Sequence, residues 1–254
     1  METQPIYKYI WFGTCLRFLQ DVTSNTKIHG DGLVLANING FLEYLDILGL
    51  IVTKRASAKL VQFKKEIENL PTHSNLTVDQ AVKLRGLMDS IRNTLSAEAE
   101  GVLIFVVTSK RLDVNKLLNE VSNLFAPDVF KNLPDVARFD FNEAGKCIAF
   151  YRPTAAAFHL LRGTEAMLRE FYCRLIKQKR LKELLWGPVV DNLRLRQKTK
   201  KYDTLYNNLD NIRLSFRNPT QHPEKVYDID EAQDLWSLCI DVVNRMSKIL
   251  MENS

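Results

Sequence analysis

Apolar residues recur at spacings of three and four along most of the chain, the period of a helix that buries one face, so a mainly α-helical protein is expected. In the first half, Leu33 to Leu50 reads as one helix, with Leu42, Leu45 and Leu48 near its end. Ser57 to Leu70 reads as another through Leu60, Phe63 and Ile67, and Pro71 ends it. Thr77 is placed to cap the next helix, with Asp79 in its first turn and Val82, Leu84, Leu87, Ile91 and Leu95 as its apolar stripe. The run Val102 to Thr108 is different, being continuously apolar and rich in β-branched and aromatic residues. It predicts one short strand, although periodicity does not separate such a run from a buried helical segment.

Between Phe125 and Asn142, Pro127 and Pro134 sit among polar residues, a composition suited to a connection between domains. The boundary is expected near residue 136, giving an N-terminal helical domain over 1–135, with a regulatory or recognition role, and a second domain over 136–254. In the second domain a long helix is expected from about Asn142 to Lys179, kinked or broken at Pro153. A short segment follows from Val189 to Leu195. The stripe Leu205, Leu209, Ile212 and Phe216 marks a helix from Tyr202 to Phe216, which Asn218-Pro219 is expected to stop. Asp228 with Glu231 makes an aspartate version of the capping box for a final helix carrying Leu235, Leu238, Cys239, Val242, Met246 and Ile249. These segments predict a four-helix bundle.

Composition narrows the class. A chain of 254 residues with 46% hydrophobic content can bury a sizeable core. The longest apolar run, Gly101 to Val107, falls far short of the ~20 residues that cross a bilayer, and the first residues lack a signal-peptide pattern. A soluble, cytoplasmic protein without a membrane partner is expected. Cys15, Cys147, Cys173 and Cys239 are scattered without a Cys-x-x-Cys pair, which argues against zinc and against a disulfide framework and leaves buried thiols. No cofactor or metal is called for, and there is no glycine-rich phosphate loop, Gly-x-Ser-x-Gly elbow or His-Glu-x-x-His. The net charge of +5 favours a polyanionic partner without requiring one.

The stretch Leu214-Ser-Phe-Arg-Asn-Pro-Thr-Gln-His-Pro-Glu224 carries the strongest chemical signal. Arg217 can grip a phosphate through a two-pronged fork of donors, and histidine, the type of His222, is the side chain best suited to proton transfer near neutrality. Arg217, Asn218 and His222 match the motif of the HEPN superfamily: an arginine, a polar residue, then a histidine after a short gap. Glu143 to Cys147, Arg152 to Arg162, Glu165 and Trp186-Gly-Pro188 precede it in an order that resembles bacterial HEPN-like proteins. The resemblance covers roughly residues 138 to 250 and is vague before them.

That resemblance implies a HEPN-like four-helix bundle and a metal-independent endoribonuclease that leaves 2′,3′-cyclic phosphate and 5′-hydroxyl ends. His222 is expected as general acid or base, Arg217 as the stabiliser of charge on the phosphorus oxygens, and Asn218 as an orienting group. It further implies a homodimer with a composite site, and the biological role of a toxin or antiviral effector. Regulation by a partner protein or antitoxin is a further expectation. Modification by a nucleotidyltransferase antitoxin on a tyrosine just past the histidine fits poorly, since Pro223-Glu224 follow and the nearest tyrosine is Tyr227. A noncatalytic HEPN-like module that binds nucleotide, nucleic acid or protein is the alternative.

Three supporting features have two readings each. Arg213, one turn before Arg217, either joins it as a second cation for phosphate or merely caps the helix end. Glu165 either holds Arg217 or forms an ordinary surface pair with Arg162 on its own helix. The basic runs Lys177 to Lys182 and Arg194 to Lys201, with Lys198, Lys200, Lys201 and Tyr202 as the candidates for RNA contact, either track a phosphate backbone or form a solvated face. His159, in the apolar stretch Ala155 to Leu161, reads as a satisfied core or interface histidine.

Overall fold

The computed structural model describes residues 5–104, 106–197, 200–222 and 225–252. Among these the protein is all-α, and the only β-type pairing is an isolated bridge between Lys27 and Asn75. The chain divides into two compact units, Met1–Phe105 and Val106–Ser254, so the division falls well ahead of the boundary expected near residue 136. The run from Val102 forms no ladder: Leu103, Ile104 and Val106 are exposed on irregular backbone, so the expected strand is absent among the described residues. A single apolar run with no neighbouring strand has nothing to pair its backbone with.

The first unit contains α1 (Tyr7–Gln20), α2 (Val34–Ile47), α3 (Ile51–Ala56), α4 (Ala58–Glu68) and α5 (Val78–Ala99). Phe12, Leu19, Ile38, Phe41, Phe63, Leu84 and Met88 fill its core. Thr77 caps α5 as expected, in a full capping box with Gln80. Within the α5 stripe Leu84 and Ile91 are buried, whereas Val82 faces solvent and Met88 takes the fourth-residue position instead. Glu98, near the end of α5, accepts from the backbone N–H groups of Val52 and Thr53 and from the Thr53 hydroxyl, satisfying the start of α3.

The second unit begins with α6 (Val114–Asn119) and short 3₁₀ turns, whose Leu117, Val121, Phe125, Val129 and Leu133 belong to the same core as the helices that follow. This shared core is why the supposed interdomain connection is part of the second unit. Next come α7 (Asp135–Ala149) and α8 (Pro153–Leu175), a helical hairpin rather than one kinked helix. Tyr151, at φ 59°, turns the chain, and Pro153 opens α8, where its missing N–H has no helical partner to lose. The remaining helices are α9 (Trp186–Arg196), α10 (Asp203–Ile212) and α12 (Ile229–Glu252), with a short α11 (Asn218–Thr220) between the last two. Helices α7, α8, α10 and α12 pack around Phe141, Phe171, Leu209, Trp236 and Val242, and the buried Trp186 of α9 donates to the Leu209 carbonyl. Asp228 and Glu231 bond reciprocally at the start of α12, as the capping box requires.

The junction after α10 departs from expectation in a way that positions the site. Residues Arg213–Arg217 form a π-helical turn, and the chain continues helically through Asn218 and Pro219 to Thr220 instead of stopping. Pro219 lacks an N–H and its ring crowds the carbonyl four residues back, so a regular turn is disfavoured here. The wider π-turn, closed by the Asn218 N–H on the Arg213 carbonyl, accommodates it. The Thr220 hydroxyl, the Tyr227 hydroxyl and the Phe216 carbonyl lie within hydrogen-bonding distance of one another, a cluster whose two protons fix the wound segment from the inside.

Candidate functional site

The π-turn sets Arg217 beside the middle of α8. Together they wall a cleft of about 240 Å³ lined by Phe158, His159, Arg162, Glu165, Arg217 and Thr220, with Leu161 and Gln221 completing it. Three residues chosen from the sequence, Arg162, Glu165 and Arg217, therefore meet in one place. The volume lies just below the range of pockets that enclose whole cofactors or drug-sized ligands, and suits a smaller charged group.

Glu165 stands between two arginines. Its Oε1 accepts from Arg169 Nη2 at 2.5 Å, while Oε2 lies 3.8 Å from Arg217 Nη2. The second separation is an ion pair too long for a hydrogen bond. Glu165 thus holds Arg217 by charge without occupying its donors, and the Arg217 side chain makes no hydrogen bond among the described residues. Of the two readings of Glu165, the surface pair with Arg162 does not form, because Arg162 turns to α7. Its Nε and Nη2 donate to the two oxygens of Asp140 at 2.7 and 2.6 Å, and this pairing raises the Arg162 pKa further.

Asp140 has no exposed surface, and its Oδ1 also lies 2.9 Å from Nδ1 of His159. His159 is thereby half-buried, one nitrogen on Asp140 and its ring on the wall of the cleft, with Phe139 edge-on to it. The expectation of a satisfied core histidine holds for one nitrogen only. Sequence reasoning missed the cluster because the helix was begun at Asn142, past Asp140. Gly163 marks the close approach of the two helices: a Cβ there would lie 3.2 Å from Asp140 Cβ.

His222 directly follows the cleft residues Thr220 and Gln221, is exposed, and does not itself line the cleft. Its backbone N–H donates to the Pro219 carbonyl at 2.9 Å, while its imidazole makes no hydrogen bond among the described residues. Asn218 lies within the helical segment, outside the cleft lining. Arg213 is not brought to the cleft either. The π-turn rotates it away, and its guanidinium pairs with Asp210 and packs on Gly187, a structural role. Tyr227 is buried, with its hydroxyl bonded to Thr220 and to the Phe216 carbonyl, and burial pushes its pKa up. It offers no accessible hydroxyl for modification.

In the basic runs the arginines bond to neighbouring parts of the fold. Arg180 donates to the carbonyls that end α8, Arg196 to those of Gln178 and Lys179, and Arg194 to Asn207 and Asp210 while stacking on Tyr206. Lys200 and Lys201 are exposed, with Lys201 over the Tyr202 ring, and none of these lines the cleft. Lys198 lies outside the described residues. All four cysteines are unpaired, and burial pushes the Cys239 thiol up to about 12, far from a reactive thiolate. Among the described residues no cluster of His, Cys, Asp and Glu is arranged to hold a metal, and no helix is long and apolar enough to cross a membrane. No family model, curated protein or solved structure matches the chain.

Proposed function

We propose that this protein is a metal-independent endoribonuclease of the HEPN type, which holds an RNA phosphodiester in the cleft between α8 and the π-turn. The observation that carries the reading is the state of Arg217: it lines a cleft of mixed charged and apolar walls, is held by the charge of Glu165, and keeps its hydrogen-bonding donors unspent. A fork of free donors beside a cleft of this size suits the nonbridging oxygens of a phosphate, where it stabilises the charge that builds as the 2′-hydroxyl attacks. Phe158, half-exposed on the same wall, offers a face on which a base can stack. His222, exposed and next in the chain after the cleft residues Thr220 and Gln221, supplies proton transfer. A homodimer and a role as a toxin or antiviral effector, under a regulatory protein or antitoxin, complete the reading by resemblance.

One observation favours a noncatalytic HEPN-like binding module: the His222 imidazole lies outside the cleft lining. Incubation of total RNA and transfer RNA in excess EDTA separates the two. The enzyme reading expects new 2′,3′-cyclic phosphate ends that disappear in Arg217→Ala and His222→Ala. RNA binding without cleavage by folded wild type establishes the module instead.

A further inference from the structure

We infer that His159, held by Asp140, is the general base of the cleft, an inference that rests on the ribonuclease reading. Arg162 donates one hydrogen bond to each oxygen of the buried Asp140 carboxylate. Asp140 is therefore an acceptor on both oxygens, and the contact between its Oδ1 and His159 Nδ1 at 2.9 Å has the imidazole as donor. A neutral imidazole with its proton on Nδ1 presents a lone pair on Nε2. This nitrogen makes no hydrogen bond among the described residues, and His159 lines the cleft together with Phe158, Arg162 and Arg217. A carboxylate that fixes the tautomer and heading of a histidine is the arrangement by which a general base is preorganised.

The position removes a difficulty in the chemistry. Cleavage by a neighbouring 2′-hydroxyl needs a proton removed from O2′ and a proton delivered to O5′, and a single histidine does not easily do both at once. In this cleft His159 Nε2 takes the proton from O2′ as the O2′–P bond forms and the P–O5′ bond breaks. His222, as imidazolium, gives its proton to the departing O5′. The products are a 2′,3′-cyclic phosphate and a 5′-hydroxyl, with one proton gained by His159 and one lost by His222, so solvent exchange resets both. Arg217 neutralises the charge on the phosphorus oxygens.

The test is single-turnover cleavage of a short RNA by wild type, His159→Asn and His222→Ala, repeated on the same RNA with sulfur in place of the bridging 5′-oxygen. A thiolate leaves without a proton, so that substrate needs a base and no acid. The asparagine amide stands where Nδ1 stands, keeping the bond to Asp140 while deleting Nε2, and His159→Gln is a second replacement should His159→Asn unfold. The inference expects His159→Asn to slow both substrates by about 10²-fold or more. Its melting temperature and its affinity for an uncleavable 2′-deoxy analogue should stay near wild type, and His222→Ala should slow the oxygen substrate alone. If His159→Asn cleaves like wild type while Arg217→Ala and His222→Ala do not, the inference fails and the ribonuclease reading stands. A His159→Asn defect that vanishes with sulfur makes His159 the acid and overturns the assignment. No cyclic-phosphate ends from wild type removes the ribonuclease reading, and the inference with it.

Discussion

Asp140 and Arg162 face each other across the α7–α8 hairpin in a two-pronged pair, with the carboxylate wholly buried and the arginine side chain still 59% exposed. The two partners therefore differ in what each loses when left alone. An isolated Arg162 turns into water, whereas an isolated Asp140 keeps only His159 in a dry site.

Arg162→Ala is accordingly expected to be the more damaging change. Leaving a buried charge without its partner costs on the order of 3–5 kcal/mol, with the retained His159 bond placing this case near the lower end. Asp140→Ala is expected to cost about 1–3 kcal/mol, since the freed guanidinium is rehydrated. Urea unfolding of the two variants gives the order directly, and a larger loss in Asp140→Ala would mean that the carboxylate is reached by water.

The division of the chain ahead of residue 106 yields a second expectation. A fragment spanning 106–254 should unfold in one cooperative transition, whereas 136–254 should not, because it lacks Leu117, Val121, Phe125, Val129 and Leu133 from its core. A point change probes the same contact: a Cβ at Gly145 on α7 would lie 2.4 Å from the Leu117 carbonyl oxygen of α6. Gly145→Ala should therefore destabilise the 106–254 fragment by about 2–3 kcal/mol, as overpacking does. Cooperative folding of 136–254, or a neutral Gly145→Ala, would detach α6 from this unit.

Much of this architecture was readable in the order of residues, and the failures share one cause. Helices with a clear stripe and a cap, such as those opened by Thr77 and Asp228, were placed nearly to the residue, because cap and period are local properties. What local pattern does not carry is partnership. Pro127 and Pro134 look like a linker until Phe125 is seen edge-on to Phe141 at 5.0 Å. The cleft divides in the same way. Arg217 could be named from the motif it makes with Asn218 and His222, and Arg162 and Glu165 as charged groups one turn apart in the stretch that shares the resemblance, while the Asp140–His159 contact joins residues on two helices and has no local signature. Arg213 was misplaced for a related reason: an α-helical wheel puts it on the face of Arg217, and the π-turn ahead of Pro219 breaks that wheel.

The first unit should carry a pH signature of its own. The Glu98 pKa is lowered from its ordinary 4.5, chiefly by the Thr53 hydroxyl and then by the backbone N–H groups of Val52 and Thr53. A lowered folded-state value favours the folded protein above the unfolded pKa, and that contribution is lost as pH falls through the folded value. Stability of this unit is thus expected to decline in acid below about 4.5. Glu98→Gln should be less stable at neutral pH and show a shallower acid decline. Trp11 lies in this unit, and Trp186 and Trp236 lie in the other, so a Trp11-only variant reports on it by fluorescence. An unchanged acid profile in Glu98→Gln would remove the carboxylate from this role.

Pro219 offers the sharpest test of how the fold serves the cleft. If its ring is what holds Arg213–Arg217 in a π-turn, Pro219→Ala lets that segment close as an ordinary α-helix, restoring regular hydrogen bonds. Stability should then stay level or rise by up to about 1 kcal/mol, less whatever is lost at the Thr220 and Tyr227 contacts to the Phe216 carbonyl. Arg217 would turn away from Glu165 by a large part of a helical step, leaving the cleft without its free guanidinium. Cleavage, or phosphate affinity if the protein only binds, should fall at least about tenfold, the scale expected when a charge-assisted contact worth about 1.5–3 kcal/mol is lost. Stability and activity moving in opposite directions would establish that the π-turn is kept for the site. Parallel loss of both would make Pro219 a residue of the fold alone.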